Sequence, residues 1–369
     1  MKKNHLTYFK VENFKKFDSL EVNDIGQFNL IVGDNNVGKT CLLEALLFDE
    51  NPQQLLDNFY LALTKRGLKF QIEEITRKVG NSSSTELIYP KTNYFKEFIF
   101  GKFDEYVGFY LNDKKYSIFI TKPQDLNDFS NMNAGVKFNL LSLNSSIPLS
   151  DLKNQLIQIY DDKSEGEFEI YWIYQYNENI LNFPLISFND TPLEEDSRSI
   201  YENLKTKREK QILIDVLKVV NQNIVDIELR ENFEDLKSVF LISFYDKDEF
   251  VALNFLGDGF KRIFYIVLKA LSLKGKRILI DEIEIGIHHT KMKDFWVNIM
   301  KVCKELDVQL FATTHSSECI EDYVKAAKEV GDEDIRLIRL QENKDKSIKA
   351  ICYPFNEFED IAESKTENR

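Results

Sequence analysis

The sequence contains few cysteines. Only four occur among its 369 residues, no pair of them has the spacing of a zinc site, and nothing in their pattern suggests a disulfide framework. We therefore expect reduced thiols packed as small hydrophobic side chains, as in a cytoplasmic protein. The four positions are Cys41, Cys303, Cys319 and Cys352.

Long apolar runs are also missing. No run approaches the ~20 residues that a membrane-spanning helix requires. The polar opening Met1–His5 leads directly into a strand-like segment, so no signal peptide is predicted. With 43% hydrophobic and 30% charged residues, the composition is that of a soluble globular protein with one large domain or two ordinary ones. The absence of a sustained heptad pattern argues against a long coiled-coil arm.

Positive charge is in deficit. Lysine and arginine together number 48 against 61 acidic residues, which gives a net charge of −13. A chain this acidic repels phosphate backbones, so binding of DNA or RNA would require a local basic surface. The stretch Lys205–Lys210 is the candidate, but Glu202 and Glu209 lie among its cations, which favours an ordinary solvated helix face.

A phosphate-binding motif lies near the N-terminus. The apolar run Phe28–Val32 predicts a buried strand, and Gly33–Thr40 follows with the pattern G-x-x-x-x-G-K-[ST] of a Walker A loop. Its glycines allow a tight turn whose N–H groups point at nucleotide phosphates. Lys39 is expected to bridge the β- and γ-phosphates, and the Thr40 hydroxyl to ligate Mg²⁺. The residues predicted to contact ATP are Asn35, Asn36, Val37, Gly38, Lys39, Thr40 and Cys41.

Two acids end a later apolar strand. Ile278–Glu282 has the form of a Walker B motif. In this motif Asp281 holds Mg²⁺ directly or through water, and Glu282 is the general base that acts on the attacking water. A strand that ends in Asp-Glu is by itself more often the start of a solvated loop. The Walker A loop earlier in the chain favours the catalytic interpretation.

A histidine follows the next strand. His315 lies in Thr313–Ser317, directly after the predicted strand Val308–Ala312. There it can contact the γ-phosphate of ATP and sense its presence, although a lone histidine in this place is more often a turn or cap residue. Its distance from Asp281, about one strand–helix–strand unit, favours the functional role.

Strands and helices alternate in the last third of the chain. Gly259–Leu273 predicts a buried helix, Arg277–Ile280 a strand, and the apolar face within Met292–Leu306 an amphipathic helix. This alternation predicts an α/β fold with a mostly parallel sheet covered on both sides.

The three motifs resemble those of ABC-type ATPases of the SMC/RecF kind. Within that group they look most like the overcoming-lysogenization-defect (OLD) relatives, stand-alone AAA ATPases linked to phage defence, whose opening strands are similar to Tyr8–Phe17. The resemblance implies a P-loop NTPase with an ABC-type ATPase head, a mixed β-sheet flanked by helices. It divides the chain into a core formed by residues 1–50 and 200–369 and an inserted α+β partner-recognition lobe at 51–199.

The resemblance also marks two segments that would complete an ABC-type site. Leu253–Arg262 lies where the family has its signature, whose helix N-terminus reaches the γ-phosphate bound by the other subunit. This segment departs from L-S-G-G, and an ordinary turn is the alternative. His288 has the D-loop position and would couple two nucleotide sites, or is an exposed loop residue. For the Q-loop, Gln71 and Gln124 are unassigned candidates. The signature residues implicated are Asn254, Gly257, Asp258 and Gly259.

The resemblance further implies partners. A head-to-tail homodimer, or a higher homo-oligomer, would hold two ATP molecules between its subunits. OLD nucleases continue into a Toprim domain, whereas about fifty residues follow His315 here. We therefore expect a sensor or regulatory ATPase of an antiphage defence system with a separate nuclease or toxin effector. The alternatives are a RecF- or SMC-like DNA repair or recombination clamp, with salt-sensitive DNA binding, and a scaffold that binds ATP without hydrolysing it.

Overall fold

The fold is seen in a computed structural model. The described residues are 5–50, 52–67, 73–79, 82–88, 106–120, 156–161, 169–171, 180–188, 194–233 and 236–357. Their strands are β1 (Phe9–Phe14), β2 (Phe17–Val22), β3 (Phe28–Gly33), β4 (Glu73–Val79), β5 (Ser82–Ile88), β6 (Tyr106–Leu111), β7 (Lys114–Ile120), β8 (Leu156–Asp161), β9 (Glu169–Tyr171), β10 (Leu185–Ile186), β11 (Ile224–Phe233), β12 (Leu236–Phe244), β13 (Val251–Ala252), β14 (Arg277–Ile280), β15 (Gln309–Thr313), β16 (Ile335–Glu342) and β17 (Ile348–Pro354). Their α-helices are α1 (Lys39–Ala45), α2 (Pro52–Lys65), α3 (Glu194–Glu202), α4 (Lys207–Leu217), α5 (Asp258–Ser272), α6 (His289–Leu306) and α7 (Ser317–Val330). Short 3₁₀ helices cover Ile180–Asn182 and Leu253–Phe255.

A six-stranded sheet forms the centre of the fold, in the order β10-β14-β15-β3-β16-β17. The first five strands of this order run parallel, and β17 pairs with β16 in the antiparallel direction. The N-terminal strand β3 therefore lies between two strands from the last third of the chain. Central parallel strands of this kind are buried on both faces, which explains why β3, β14 and β15 are mostly apolar.

The two faces of this sheet contribute to two hydrophobic cores. Ile278 and Ile280 of β14, with Leu310 of β15, belong to a core shared with α4, α5, α6 and α7. Leu279 and Phe311, the alternate residues of the same strands, belong to a core shared with α1, α2, β1 and β2. Because successive side chains of a strand alternate between its faces, the predicted cover on both sides of the sheet is confirmed.

A second six-stranded sheet, β2-β1-β6-β7-β8-β9, is antiparallel throughout. It joins strands near the N-terminus to strands of the region 51–199, since Val11 of β1 pairs with Phe109 of β6. In the same way, Leu185 of β10 pairs with Leu279 of the central sheet. These pairings describe how the sheets are built, and the division of the chain into core and inserted lobe stays a prediction.

Two smaller antiparallel sheets, β11-β12-β13 and β4-β5, complete the described architecture. All four cysteines lie among the described residues as free thiols, with Cys303 and Cys319 buried. None of the helices described above is both long enough and apolar enough to cross a membrane.

The basic stretch Lys205–Lys210 lies where α4 begins. Thr206 accepts a hydrogen bond from the Glu209 N–H at 3.2 Å, and the Glu209 carboxylate accepts one from the Thr206 N–H at 2.8 Å. This reciprocal arrangement is a capping box. Arg208 forms an ion pair with Glu305 at 2.7 Å. The stretch thus pairs with acidic side chains at a helix end and its residues 205–208 are exposed, in agreement with the prediction of a solvated helix face.

We expect the variant Glu209→Gln to lose a pH-dependent part of the folding stability. Burial acts to raise the pKa of Glu209, but hydrogen bonds from Lys274, Thr206 and Lys205 outweigh it and lower the pKa to about 2. Because the pKa is lower in the folded state than in the unfolded state, the ionised Glu209 carboxylate stabilises the fold at pH values above its ordinary pKa. This contribution is lost as the pH falls from about 4.5 toward 2. Glutamine preserves the capping box without the charge.

Chemical unfolding of the wild type and of Glu209→Gln near pH 7 and near pH 3 measures this contribution. The free energy of unfolding should differ by about 1–2 kcal/mol near pH 7 and by clearly less near pH 3. A difference that stays constant over this range would contradict the expectation.

Candidate active site

The phosphate loop connects β3 to α1 through two glycines with unusual backbone angles. Gly33 has φ +145° and Gly38 has φ +114°, conformations that favour glycine. A Cβ at Gly33 would lie 2.5 Å from the Leu340 carbonyl oxygen, and one at Gly38 would lie 3.0 Å from the Phe17 ring. The loop is therefore tightly enclosed at its two ends, whereas Asn35 and its neighbours at the tip are exposed to solvent.

Lys39, the first residue of α1, is folded back over this loop. Only 5% of the residue is exposed, and its Nζ donates hydrogen bonds to the carbonyl oxygens of Gly33 at 2.6 Å and Asp34 at 3.0 Å. Burial lowers the pKa of the Lys39 ammonium, an effect that the negative charges of Asp34, Asp281 and Glu282 oppose. The ammonium group is thus held inside the turn of the loop.

A buried carboxylate joins the two predicted nucleotide motifs. Asp281 is 2% exposed and accepts a hydrogen bond from the Thr40 hydroxyl at 3.0 Å and another from the Thr313 hydroxyl at 2.6 Å. These residues follow or end β3, β14 and β15, which are parallel neighbours, so their carboxyl ends meet at one edge of the sheet. The structure therefore brings Thr40 and Asp281 together, and their role as ligands of Mg²⁺ stays a prediction.

Glu282 and His315 face each other beside this carboxylate. The Glu282 Oε1 lies 3.8 Å from the His315 Nε2, and the two side chains are 33% and 41% exposed. Glu282 has φ +47°, and its N–H donates to the Thr313 hydroxyl at 2.8 Å. The His315 N–H donates to the Glu284 carboxylate at 2.9 Å. An acid and an imidazole are thus fixed through their backbones while their side chains remain open to solvent.

Two further residues support this arrangement and were not assigned a role from the sequence. Thr313 contacts both Asp281 and Glu282. Arg262 of α5 donates from Nη2 to the Asp281 carbonyl oxygen at 2.7 Å and to the Glu282 carbonyl oxygen at 3.1 Å. The sequence feature that could have identified Thr313 is its position at the end of the strand that precedes His315. No sequence pattern links a helix arginine to carbonyl groups nineteen and twenty positions later.

The predicted signature residues lie at the N-terminal end of α5. Asn254 belongs to the 3₁₀ helix before it, Gly257 is the N-cap residue, and Asp258 begins the helix. All three are exposed, and Asp258 forms an ion pair with Lys261 at 2.7 Å. Their expected contact with a nucleotide on a second subunit stays a prediction.

Gly259 lies directly against Gly286 in the turn that follows Glu282. A Cβ on Gly259 would be 1.8 Å from the Gly286 carbonyl oxygen, and Gly286 itself has φ +76°. The first turn of α5 therefore packs backbone to backbone on the turn that carries Glu282, and only glycine permits this approach.

We expect Gly259→Ala to lower the free energy of unfolding by about 1–3 kcal/mol, the typical cost of forcing extra atoms into a packed site. Gly257→Ala is the matched control, because a Cβ there meets nothing within 4 Å. Urea unfolding of both variants measures the free energy of unfolding. Equal stability of the two variants would show that the Gly259–Gly286 contact is looser than described.

His288 caps α6. Its Nδ1 lies 2.9 Å from the Thr290 hydroxyl oxygen and accepts a hydrogen bond from the Thr290 N–H at 3.4 Å, and its ring lies 4.3 Å from that of His289. The side chain is exposed. This accounts for a histidine at the start of the helix, and its predicted coupling of two nucleotide sites stays a prediction. The Q-loop candidates Gln71 and Gln124 lie outside the described residues.

The sequence is similar to known proteins over most of its length. A family model described as "AAA domain, putative AbiEii toxin, Type IV TA system" matches residues 28–321. A protein of Helicobacter pylori named ATP/GTP phosphatase is 25% identical over 347 residues, which cover 85% of this chain and 85% of that protein. An uncharacterised protein of Methanocaldococcus jannaschii is 31% identical over 110 residues, which are 30% of this chain and 92% of that protein.

The fold is similar to that of an SMC head. The crystal structure of the SmcHead bound to the C-winged helix domain of ScpA superimposes with a TM-score of 0.50 and 11% identity, covering 95% of this chain and 99% of that chain. At a sequence identity of 11%, this likeness shows a similar fold and nothing about function. The likeness confirms the ABC-type P-loop head expected from the sequence, whereas the OLD-like subtype stays a prediction.

Proposed function

Because the chain belongs to this AAA-domain family, we propose that it binds ATP and hydrolyses it to ADP and phosphate. The observation that carries the proposal is the buried Asp281 carboxylate, which accepts hydrogen bonds from Thr40 and from Thr313. These bonds unite the two nucleotide motifs at the carboxyl edge of the sheet, where open α/β folds bind their ligands. The name of the Helicobacter pylori relative, ATP/GTP phosphatase, supports the same chemistry.

The phosphate groups of ATP would lie in the loop between β3 and α1. Its tip, residues 34–36, is exposed, and the N–H groups of 35–41 can surround an anion as in other P-loops. Lys39 supplies a cation at the base of the loop. Its present acceptors are the carbonyls of Gly33 and Asp34, which phosphate oxygens outcompete because they carry a full negative charge.

The residues at the junction fit a magnesium ion. Mg²⁺ prefers oxygen ligands and is usually held by one or two carboxylates together with substrate phosphates, rather than by an all-protein cage. The Thr40 hydroxyl and the Asp281 carboxylate provide such oxygens 3.0 Å apart. The described residues hold no group of three or more His, Cys, Asp or Glu side chains suited to a metal, which matches a site completed by the nucleotide. The ion would neutralise charge on the phosphate oxygens.

The hydrolytic step requires a base beside the γ-phosphate. We assign this role to Glu282, whose carboxylate is partly exposed. The carboxylate can accept a proton from the attacking water while the oxygen of that water bonds to the γ-phosphorus. The bond from that phosphorus to the β–γ bridging oxygen breaks, and ADP leaves. His315, 3.8 Å from Glu282, would contact the γ-phosphate oxygens as their charge redistributes.

Removal of magnesium tests the proposed chemistry directly. We expect the purified protein to release phosphate from ATP in the presence of Mg²⁺, to stop in excess EDTA, and to resume when Mg²⁺ is added beyond the chelator. The readout is a continuous phosphate assay. Phosphate release that is unaffected by EDTA would rule out the role of Thr40 and Asp281 in holding the ion.

We propose a head-to-tail homodimer in which the end of α5 of one subunit contacts the ATP bound by the other. The exposure of Asn254, Gly257 and Asp258 on one helix end supports this arrangement. Residues 51–199 would form the inserted lobe that recognises a partner.

We also propose that the ATPase is the sensor or regulatory subunit of an antiphage defence system with a separate effector. The family description, which mentions a toxin and a type IV TA system, supports a partner of this kind. The net charge of −13 argues mildly against the DNA clamp alternative.

The partner proposal is tested by recovering tagged Glu282→Gln protein, with its ATP unhydrolysed, from its native cells. Mass spectrometry that identifies a nuclease or toxin in stoichiometric amount would support the regulatory role. Recovery of the protein alone, or together with DNA and repair factors, would contradict it and favour the clamp.

A further inference from the structure

The guanidinium of Arg262 links α5 to the turn that carries the proposed base. Arg262 is 7% exposed, and its Nη2 donates to the carbonyl oxygens of Asp281 at 2.7 Å and Glu282 at 3.1 Å. The planar guanidinium has five donors in a rigid fork and stays charged at all relevant pH values. It can therefore hold two adjacent carbonyl groups in a fixed orientation.

Glu282 has a backbone conformation that needs such support. Its φ of +47° lies in the left-handed region, which side chains other than glycine, asparagine and aspartate seldom adopt. Both of its backbone polar groups are fixed by side chains: the N–H by Thr313 at 2.8 Å and the carbonyl by Arg262. The direction in which the Glu282 carboxylate points thus depends on both residues.

A second contact ties the same turn to α5. The backbone of Gly259 packs against Gly286 four residues after Glu282, and Arg262 follows Gly259 by one helical turn. On its other side, Arg262 Nη1 donates to the Ser187 carbonyl oxygen at 3.3 Å, just beyond the edge strand β10. A shift of the N-terminal end of α5 must therefore move the Glu282 turn with it.

We infer that Arg262 is a positioning residue that sets the orientation of the Glu282 carboxylate and couples it to the N-terminal end of α5. The inference rests on the proposed ATP hydrolysis and extends it: the helix end exposed to a second subunit is connected to the base of its own subunit. Arg262 acts through the Glu282 backbone and does not touch ATP.

The experiment compares Arg262→Met with Lys269→Met. Lys269 is a fully buried cation of the same helix, two turns farther along, so its variant controls for the loss of a buried charge from α5. We expect Arg262→Met to lower kcat roughly 10- to 100-fold, as is typical of residues that orient the groups of a site, with the Kd for ATP unchanged. Lys269→Met should retain the wild-type kcat.

A double-mutant cycle separates positioning from a general structural role. If Arg262 acts through the Glu282 carboxylate, then Arg262→Met has no further effect once that carboxylate is gone, because the two changes remove the same contribution. Arg262→Met/Glu282→Gln should therefore hydrolyse ATP as slowly as Glu282→Gln alone in single-turnover assays. A further slowing as large as the one in the wild type would overturn the inference.

The variant Arg262→Lys provides a second test. Arg262→Lys can still donate to these carbonyls from a single ammonium, so its kcat should lie between those of the wild type and Arg262→Met; it carries the test if the methionine variant does not fold. Equal kcat values for Arg262→Lys, Arg262→Met and the wild type would overturn the inference and leave the proposed hydrolysis intact. If the wild type releases no phosphate, the proposed hydrolysis is wrong and the inference is wrong with it.

Discussion

Replacement of Glu282 by glutamine is expected to lower kcat by roughly 100- to 10,000-fold, the contribution of a general base. Glutamine has nearly the same shape and keeps the backbone contacts with Thr313 and Arg262, but its amide cannot accept the proton of the attacking water. The phosphate loop is untouched, so the Kd for ATP should stay near the wild-type value. Single-turnover phosphate release and equilibrium ATP binding measure the two quantities.

The matched control is Glu318→Gln, which removes an exposed carboxylate from the first turn of α7. It should leave kcat unchanged. If ATP joins two subunits, Glu282→Gln should also accumulate as a dimer when ATP is present, which light scattering detects. Turnover of Glu282→Gln at the wild-type rate would refute the assignment of the base and favour a protein that binds ATP as a scaffold.

Lys39→Ala should have its large effect on binding instead. Truncating one member of a buried charge pair costs about 2–5 kcal/mol, which corresponds to a roughly 30- to 4,000-fold weaker Kd for ATP at 25 °C. The loss should be this large because Lys39 is only 5% exposed and its ammonium lies within the loop itself. Titration calorimetry with ATP and Mg²⁺ measures the Kd.

Two controls accompany this variant. Lys293→Ala removes an exposed cation of α6 that pairs with Glu329, and it should bind ATP like the wild type. Because Lys39 also bonds to two carbonyl groups of its own loop, circular dichroism of Lys39→Ala is needed to show that the fold is retained. Normal ATP binding by folded Lys39→Ala would disprove the assignment of Gly33–Thr40 as the phosphate loop.

The parts of the fold that could be predicted are those with a local signal. The apolar run Arg277–Ile280 is β14 as predicted, and the predicted helix Gly259–Leu273 agrees within one residue at each end with α5. Thr40 and Asp281 could be placed together because parallel strands present their carboxyl ends at one edge. Local sequence patterns, together with the shared edge of parallel strands, are therefore enough to predict that the two nucleotide motifs lie close together.

The missing parts depend on contacts between distant segments. The pairing of β1 with β6 joins Val11 to Phe109, and no local pattern states which strand is the partner. Arg262 was predicted to lie in the helix Gly259–Leu273 and in the signature segment, but its contacts were not predicted, since its acceptors are backbone carbonyls whose positions exist only after the sheet and α5 have packed. The positive φ of Glu282 was equally invisible, because a glutamate in that place carries no turn signal.

The position of β3 in the central sheet has a consequence for how the protein is made. β3 pairs with β15 and β16, and Asn29 bonds to Leu310, 281 residues later in the chain. At about 5–20 residues per second on the ribosome, roughly 14 to 56 s pass between the synthesis of these two strands. During that time the apolar strand β3, which leads into the Walker A loop, has neither of its neighbours β15 and β16. We therefore expect a nascent chain to complete the proposed nucleotide site only after its last third emerges, because Asp281 and Thr313 lie there.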